Sequence, residues 1–139
     1  MIYTTRYSVA SKLPRNKYLV VRTSLGGCRF CKADHNFSAL APTREMMDLP
    51  ESDGDIDFIN AYEKHLEEAG LGAFAGELEN LVTQAGTKDI VLCCFCDVLN
   101  GAICHRRVFA EWYHAKTGIM IPELAVVPSF HKRRVSSIG

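Results

Sequence analysis

The chain has 139 residues, 47% of them hydrophobic and 23% charged, and its basic and acidic side chains cancel to a formal net charge of zero. That length and composition suit one globular domain with a real core, and the charge balance excludes a strongly basic nucleic-acid-binding face built from totals alone. No apolar run approaches the roughly 18 residues a membrane span needs, so no membrane association is expected.

The opening Met1-Ile2-Tyr3-Thr4-Thr5-Arg6 lacks the charged-then-apolar layout of a signal peptide. Six cysteines in that setting read as reduced thiols of a cytoplasmic protein, open to metal binding, catalysis or plain packing. Tyr3 to Tyr7 predicts a short first strand, Leu13-Pro14-Arg15-Asn16 a turn, and Tyr18-Leu19-Val20-Val21 a stronger second strand. Thr23 to Pro42 reads as one long loop carrying Gly26-Gly27, the pair Cys28-Arg29-Phe30-Cys31, and His35. Loops of that size inside a domain are commonly functional. Thr43 caps a short helix over Glu45, Met46 and Met47, and Glu51 to Asp55 is a polar connector.

Two amphipathic helices follow. Ile56, Ile59, Tyr62, Leu66 and Ala69 line one face of the first, which Gly70 stops. Phe74, Leu78, Leu81, Val82 and Ala85 line the second, which Gly86 stops. The run Ile90-Val91-Leu92-Cys93-Cys94-Phe95-Cys96, set between Lys88-Asp89 and the turn pair Asn100-Gly101, predicts a buried strand. A last helix runs from Cys104 through Val108, Phe109, Trp112 and Ala115 to Gly118. Gly118-Ile119-Met120-Ile121-Pro122 predicts a final short strand. Strands alternating with helices indicate an α/β fold, three-layered, with a mostly parallel sheet flanked by helices. We expect one domain over residues 1–127 and a basic tail over 128–139, whose Lys132-Arg133-Arg134 run reads as a solvated tail able to touch nucleic acid.

The chemistry concentrates where the long strand meets the last helix. Alternation puts Leu92, Cys94 and Cys96 on one face and Val91, Cys93 and Phe95 on the other. Cys104, His105, Arg106 and Arg107 then open the helix. Arginines there oppose the helix dipole, which favours negative charge. A thiol at a helix N-terminus beside guanidinium groups is driven toward thiolate, and the same groups suit a phosphate or carboxylate. The spacing therefore supports Cys104 and His105 as catalytic residues, nucleophile and proton carrier. It supports Arg22, Arg106, Arg107, Cys94 and Cys96 as contacts to a small anionic substrate such as a nucleotide. In parallel sheets ligands sit beyond the carboxyl ends of the strands, and Arg22 would face that crevice if its strand neighbours the long one. The plainer alternative is that these cysteines are small apolar packing groups, as Cys93 is expected to be, and that Arg107 is solvated.

A metal reading competes with the anion reading. Cys28-x2-Cys31 is a half site, and Cys94-x-Cys96 would complete a tetrahedral zinc centre of Cys28, Cys31, Cys94 and Cys96, with His35 or Cys104 as further donors. Under this reading the chain is a non-enzymatic module, stabilised by zinc or holding a nucleotide unchanged. A third reading makes the acidic helix from Asp55 to Glu68 an adaptor surface for a basic partner.

From Met1-Ile2-Tyr3-Thr4-Thr5 through Leu13-Pro14, the strand ending in Arg22, Leu40-Ala41-Pro42, the helix with Tyr62 and Leu66, Leu92 to Cys96, and Cys104-His105-Arg106, the chain resembles the domain of unknown function 488 family, in its small bacterial and phage-type form. The Cys-His-Arg triplet after a Leu-x-Cys strand is the most specific mark. The resemblance implies an α/β domain and carries over Cys94, Cys96, Cys104, His105, Arg106 and Arg22 as site residues. The CxxC at Cys28 and Cys31 departs from the family pattern.

Overall fold

The computed structural model describes residues 1–49, 56–95 and 104–128. The polar connector after Pro50, the Asn100-Gly101 turn, Cys96 and the basic tail beyond Pro128 lie outside the described residues. In chain order the elements are β1 (Ile2–Arg6), α1 (Tyr7–Ala10), β2 (Tyr18–Arg22), β3 (His35–Asn36), a 3-10 turn (Ser38–Leu40), α2 (Arg44–Met47), α3 (Ile56–Ala69), α4 (Leu71–Ala85), β4 (Asp89–Cys94) and α5 (His105–Thr117). Among the described residues no helix is long and apolar enough to cross a membrane.

The fold is α/β, as expected. Four strands form one sheet in the order β1-β4-β2-β3, and every pairing is parallel. β4 and β2 are central, which is why their sequences are continuous apolar runs rather than alternating ones. Residues of both are buried over most of their length. The register sets Val20 beside Val91 and Arg22 beside Cys93, so β2 and β4 end together at one edge of the sheet.

Each face is covered. On one, Val21, Ile90 and Leu92 pack under the apolar stripes of α3, α4 and α5, with Tyr62, Leu66, Phe74, Leu78, Leu81 and Phe109 fully or nearly fully buried. On the other, Val20, Val91 and Cys93 meet Tyr7 and Ala10 of α1, Leu13 and Cys31. Two positions on a strand of opposite parity thus serve two separate cores.

The helix boundaries follow local chemistry. Thr43 accepts from the Met46 N–H at 3.2 Å and caps α2. Gly118, at φ 77°, ends α5 in the left-handed region, and its N–H reaches the His114 carbonyl at 2.8 Å.

Several expectations need correction. The first strand ends at Arg6, and Tyr7 already begins α1. The long Thr23-to-Pro42 loop contains β3 and the 3-10 turn. The predicted strand at Gly118 to Pro122 does not form a ladder; the chain meets the edge strand β1 at one bridge, Thr4 opposite Glu123. The Thr4 N–H donates to the Pro122 carbonyl at 2.9 Å and the Leu124 N–H to the Thr4 carbonyl at 2.7 Å. Pro122 has no N–H to extend the pairing.

Candidate functional site

The site is assembled where β4 ends and α5 begins. Cys94 is the last residue of β4, and Cys104 is the N-cap of α5, in extended conformation with no side-chain cap bond. Cys94, Cys104, His105 and Arg106 are all buried. Cys94 Sγ, Cys104 Sγ and a ring nitrogen of His105 lie within 4.8 Å of one another.

His105 is held from below by the residue that follows β2. Its Nε2–H donates to the Thr23 carbonyl at 2.9 Å, with the Thr23 hydroxyl at 3.2 Å. That hydroxyl donates in turn to the Cys93 carbonyl at 2.9 Å. A carbonyl can only accept, so the proton sits on Nε2 and Nδ1 keeps its lone pair. Nδ1 faces Cys104 Sγ at 3.6 Å. The ring packs against the Tyr62 ring, 5.7 Å between centroids at 67°. Burial pushes the imidazole below its ordinary pKa, outweighing the opposing pull of Cys94 and the Thr23 backbone.

Arg106 points inward. Its Nε donates to Glu123 Oε1 at 3.1 Å and Nη2 to Oε2 at 2.7 Å, a two-point ion pair. The remaining Nη1 donates to Cys94 Sγ at 2.8 Å and Cys104 Sγ at 3.4 Å. Burial opposes its charge, yet Glu123 and the two sulfurs more than offset this and raise its pKa. Glu123 is held by Thr4, whose hydroxyl donates to Oε1 at 2.7 Å. Arg107 is likewise engaged within the fold, its Nη1 donating to Thr4 Oγ1 and to the Ile121 carbonyl, both at 2.8 Å.

Arg106 and Arg107, expected from the sequence to contact an anionic substrate, are thus engaged by groups of the protein itself. The dipole conflict at the start of α5 is resolved by a carboxylate from a distant segment. Arg22 is different. Its Nε donates to the Ser24 carbonyl at 3.1 Å and its Nη2 to the Leu25 carbonyl, and among the described residues no carboxylate pairs with it. It lines two cavities near the carboxyl ends of β2 and β3. One, of about 220 Å³, also touches Ser24, Asn36 and Ser38. The other, of about 210 Å³, touches Tyr7, Cys28, Cys31, Lys32 and Asn36.

Among the described residues, the expected zinc ligands Cys28, Cys31 and Cys94 are not brought together. Cys31 is buried in the core on the Cys93 side of the sheet, with Cys28 packed at its margin, whereas Cys94 points to the opposite face. Among the described residues the metal-competent group is Cys94, Cys104 and His105. Burial raises the pKa of Cys31, and raises that of Cys93 strongly, as befits packing groups. Cys96 lies outside the described residues. Sequence reasoning missed Glu123 and Thr23. Neither has a local signal, because each acts through a side chain or carbonyl far along the chain.

Residues 2–117 match the family model described as the Active DUF488-N3 subclade. The chain belongs to the DUF488 family. No curated protein and no solved structure matches it. Membership covers β1 through α5 and so includes Arg22, Cys94, Cys104, His105 and Arg106, while Glu123 lies beyond the matched span.

Proposed function

We propose that this DUF488 protein is a cysteine-dependent enzyme acting on a small anionic substrate, with a nucleotide as the leading class. The observation that carries the reading is the orientation of His105: with Nε2–H committed to the Thr23 carbonyl, the basic Nδ1 faces the Cys104 sulfur. Nδ1 takes the thiol proton, Cys104 attacks an electrophilic centre of the substrate, and the protonated Nδ1 then gives its proton to the departing group. Arg106 donates to the sulfur and, anchored by Glu123, serves the thiolate rather than the substrate. The substrate's negative group is assigned to Arg22, whose guanidinium borders two small cavities without a carboxylate partner among the described residues. Thr23, the residue after Arg22, accepts from His105 Nε2, so the anion contact directly precedes in sequence the residue that orients the proton carrier.

The test is a survey of nucleoside phosphates and inorganic phosphate with the full chain, following both binding and chemical change. Cys104→Ser and His105→Ala are expected to bind as the parent does and to lose turnover by roughly a hundredfold or more. Arg22→Ala should weaken binding. A parent protein that binds a nucleotide and returns it unaltered would make the chain a sequestering module, and a fully active Cys104→Ser protein would remove the nucleophile assignment.

A further inference from the structure

We propose that Cys94 Sγ, Cys104 Sγ and His105 Nδ1 form a site for a thiophilic divalent ion, zinc foremost, and that the bound ion caps Cys104 and switches the thiol chemistry off. The capping half rests on the nucleophile reading above; the binding half stands without it.

The donors have the right identity and spacing. Two sulfurs and one imidazole nitrogen select zinc over the hard cations, which prefer oxygen. Zinc bonds of about 2.3 Å to sulfur and about 2.0 Å to nitrogen in a tetrahedron set neighbouring donors roughly 3.5 Å apart. The Cys104 Sγ to His105 Nδ1 separation is 3.6 Å, and all three donor atoms fall within 4.8 Å. Closing onto an ion therefore asks for side-chain adjustment only.

The surroundings of the donors agree. Metal-bound histidines characteristically donate their second ring N–H to a carbonyl or carboxylate, which fixes the tautomer. His105 does this with the Thr23 carbonyl at 2.9 Å. Charge balance points the same way. The Arg106 cation is matched by Glu123 at 2.7 Å, so that pair is neutral as a unit. Two thiolates in the same buried pocket would then add two negative charges, which a low-dielectric interior disfavours. A divalent ion cancels both. Arg106 Nη1 can keep its bonds to the sulfurs, because metal-bound thiolate still accepts hydrogen bonds.

Binding converts two thiols and a dication into a neutral dithiolate complex and releases two protons. Cys104 is then a ligand, its sulfur lone pair is engaged, and His105 Nδ1 no longer accepts a proton. Among the described residues the group supplies three ligands, which leaves a fourth coordination position for water.

The experiment titrates the reduced, chelator-treated full chain with cobalt(II) and then zinc. One equivalent of cobalt should produce thiolate-to-metal charge-transfer absorption, and zinc should displace it. X-ray absorption on the zinc-loaded parent chain should show two sulfurs and one nitrogen, a readout that needs no folded variant. Cys94→Ser should weaken binding at least tenfold, and the Cys28→Ser/Cys31→Ser double variant should bind as the parent does. Absence of charge transfer in the parent, four sulfurs around zinc, or loss of binding in the Cys28/Cys31 variant alone would overturn the site. Capping is read separately: zinc should slow alkylation of Cys104 by iodoacetamide. Equal alkylation rates with stoichiometric zinc bound would overturn capping alone, and neither measurement depends on whether a substrate is turned over.

Discussion

Arg106 and Glu123 meet through two hydrogen bonds, Nε to Oε1 at 3.1 Å and Nη2 to Oε2 at 2.7 Å, with the guanidinium 1% exposed. The pair joins the first turn of α5 to the segment that runs parallel beside β1. It also decides where the third guanidinium nitrogen goes, which is onto the sulfurs of Cys94 and Cys104. Structure and chemistry at this end of the sheet thus depend on one carboxylate lying 17 residues further along the chain.

Removing that carboxylate should be expensive. Glu123→Ala leaves a buried guanidinium without its counter-charge, and the expected loss of stability is about 3 kcal/mol or more. Replacing both partners with apolar residues of similar size, as in Arg106→Met with Glu123→Leu, removes the stranded charge and should recover much of the loss. Urea unfolding of the single and double variants measures this. A double variant as unstable as Glu123→Ala would contradict the charge explanation.

Tyr62 offers a second stability test. Its ring is fully buried between α3 and the site, and its hydroxyl donates to the Leu40 carbonyl at 2.5 Å. Tyr62→Phe keeps the ring contact with His105 and strands that carbonyl, for an expected cost of roughly 1–3 kcal/mol. Unfolding midpoints read the cost, while the circular dichroism of the folded protein should be unchanged. A loss much below 1 kcal/mol would mean the carbonyl finds another donor.

The parts of the fold visible in the sequence were those with short-range causes. The apolar run Ile90 to Cys94 announced a central strand because a strand buried on both faces has no polar positions to alternate with. The stripes of α3 and α4, the Thr43 cap and the Gly118 stop are likewise local. Cys104 and His105 were legible as a pair at a helix start. The direction of Arg106 was not, since a guanidinium at that position is compatible with solvent, an external anion or a buried acid. Only packing of the Glu123 segment against β1 chooses among them. The placement of the CxxC at Cys28 and Cys31 was not legible for a similar reason. Spacing shows that two thiols can converge, and says nothing of which sheet face they converge on.

The pH dependence of stability should carry a mark of Tyr7. Burial is the main cause of a shift that takes its phenol from 10.0 up to about 12, against the lowering effect of the Ser24 hydroxyl. The folded chain therefore holds this proton longer than the unfolded chain. Its contribution is present in full below about pH 10 and is lost as pH rises through about 12. Tyr62 and Tyr113 are shifted in the same direction, so the informative comparison is with Tyr7→Phe. That variant should lose stability less steeply than the parent on the alkaline side. Parallel slopes would show that Tyr7 ionises alike in both states.

The tautomer of His105 is the point on which the catalytic and metal readings both turn, and it is held by main chain. Thr23→Val removes the hydroxyl but leaves the Thr23-position carbonyl, which accepts from Nε2 at 2.9 Å. The Cys93 carbonyl loses the hydroxyl at 2.9 Å and keeps the backbone N–H of residue 23 at 3.0 Å. Because no buried acceptor is left empty, the expected cost is only about 1 kcal/mol. The ring nitrogens of His105 should give the Nε2–H pattern in nitrogen-15 spectra of parent and variant alike, and cobalt affinity should change by less than about tenfold. An Nδ1–H ring in the parent would leave Cys104 facing a donor rather than a base. Nδ1 would then be unavailable to a metal as well, and both readings of the site would fail together.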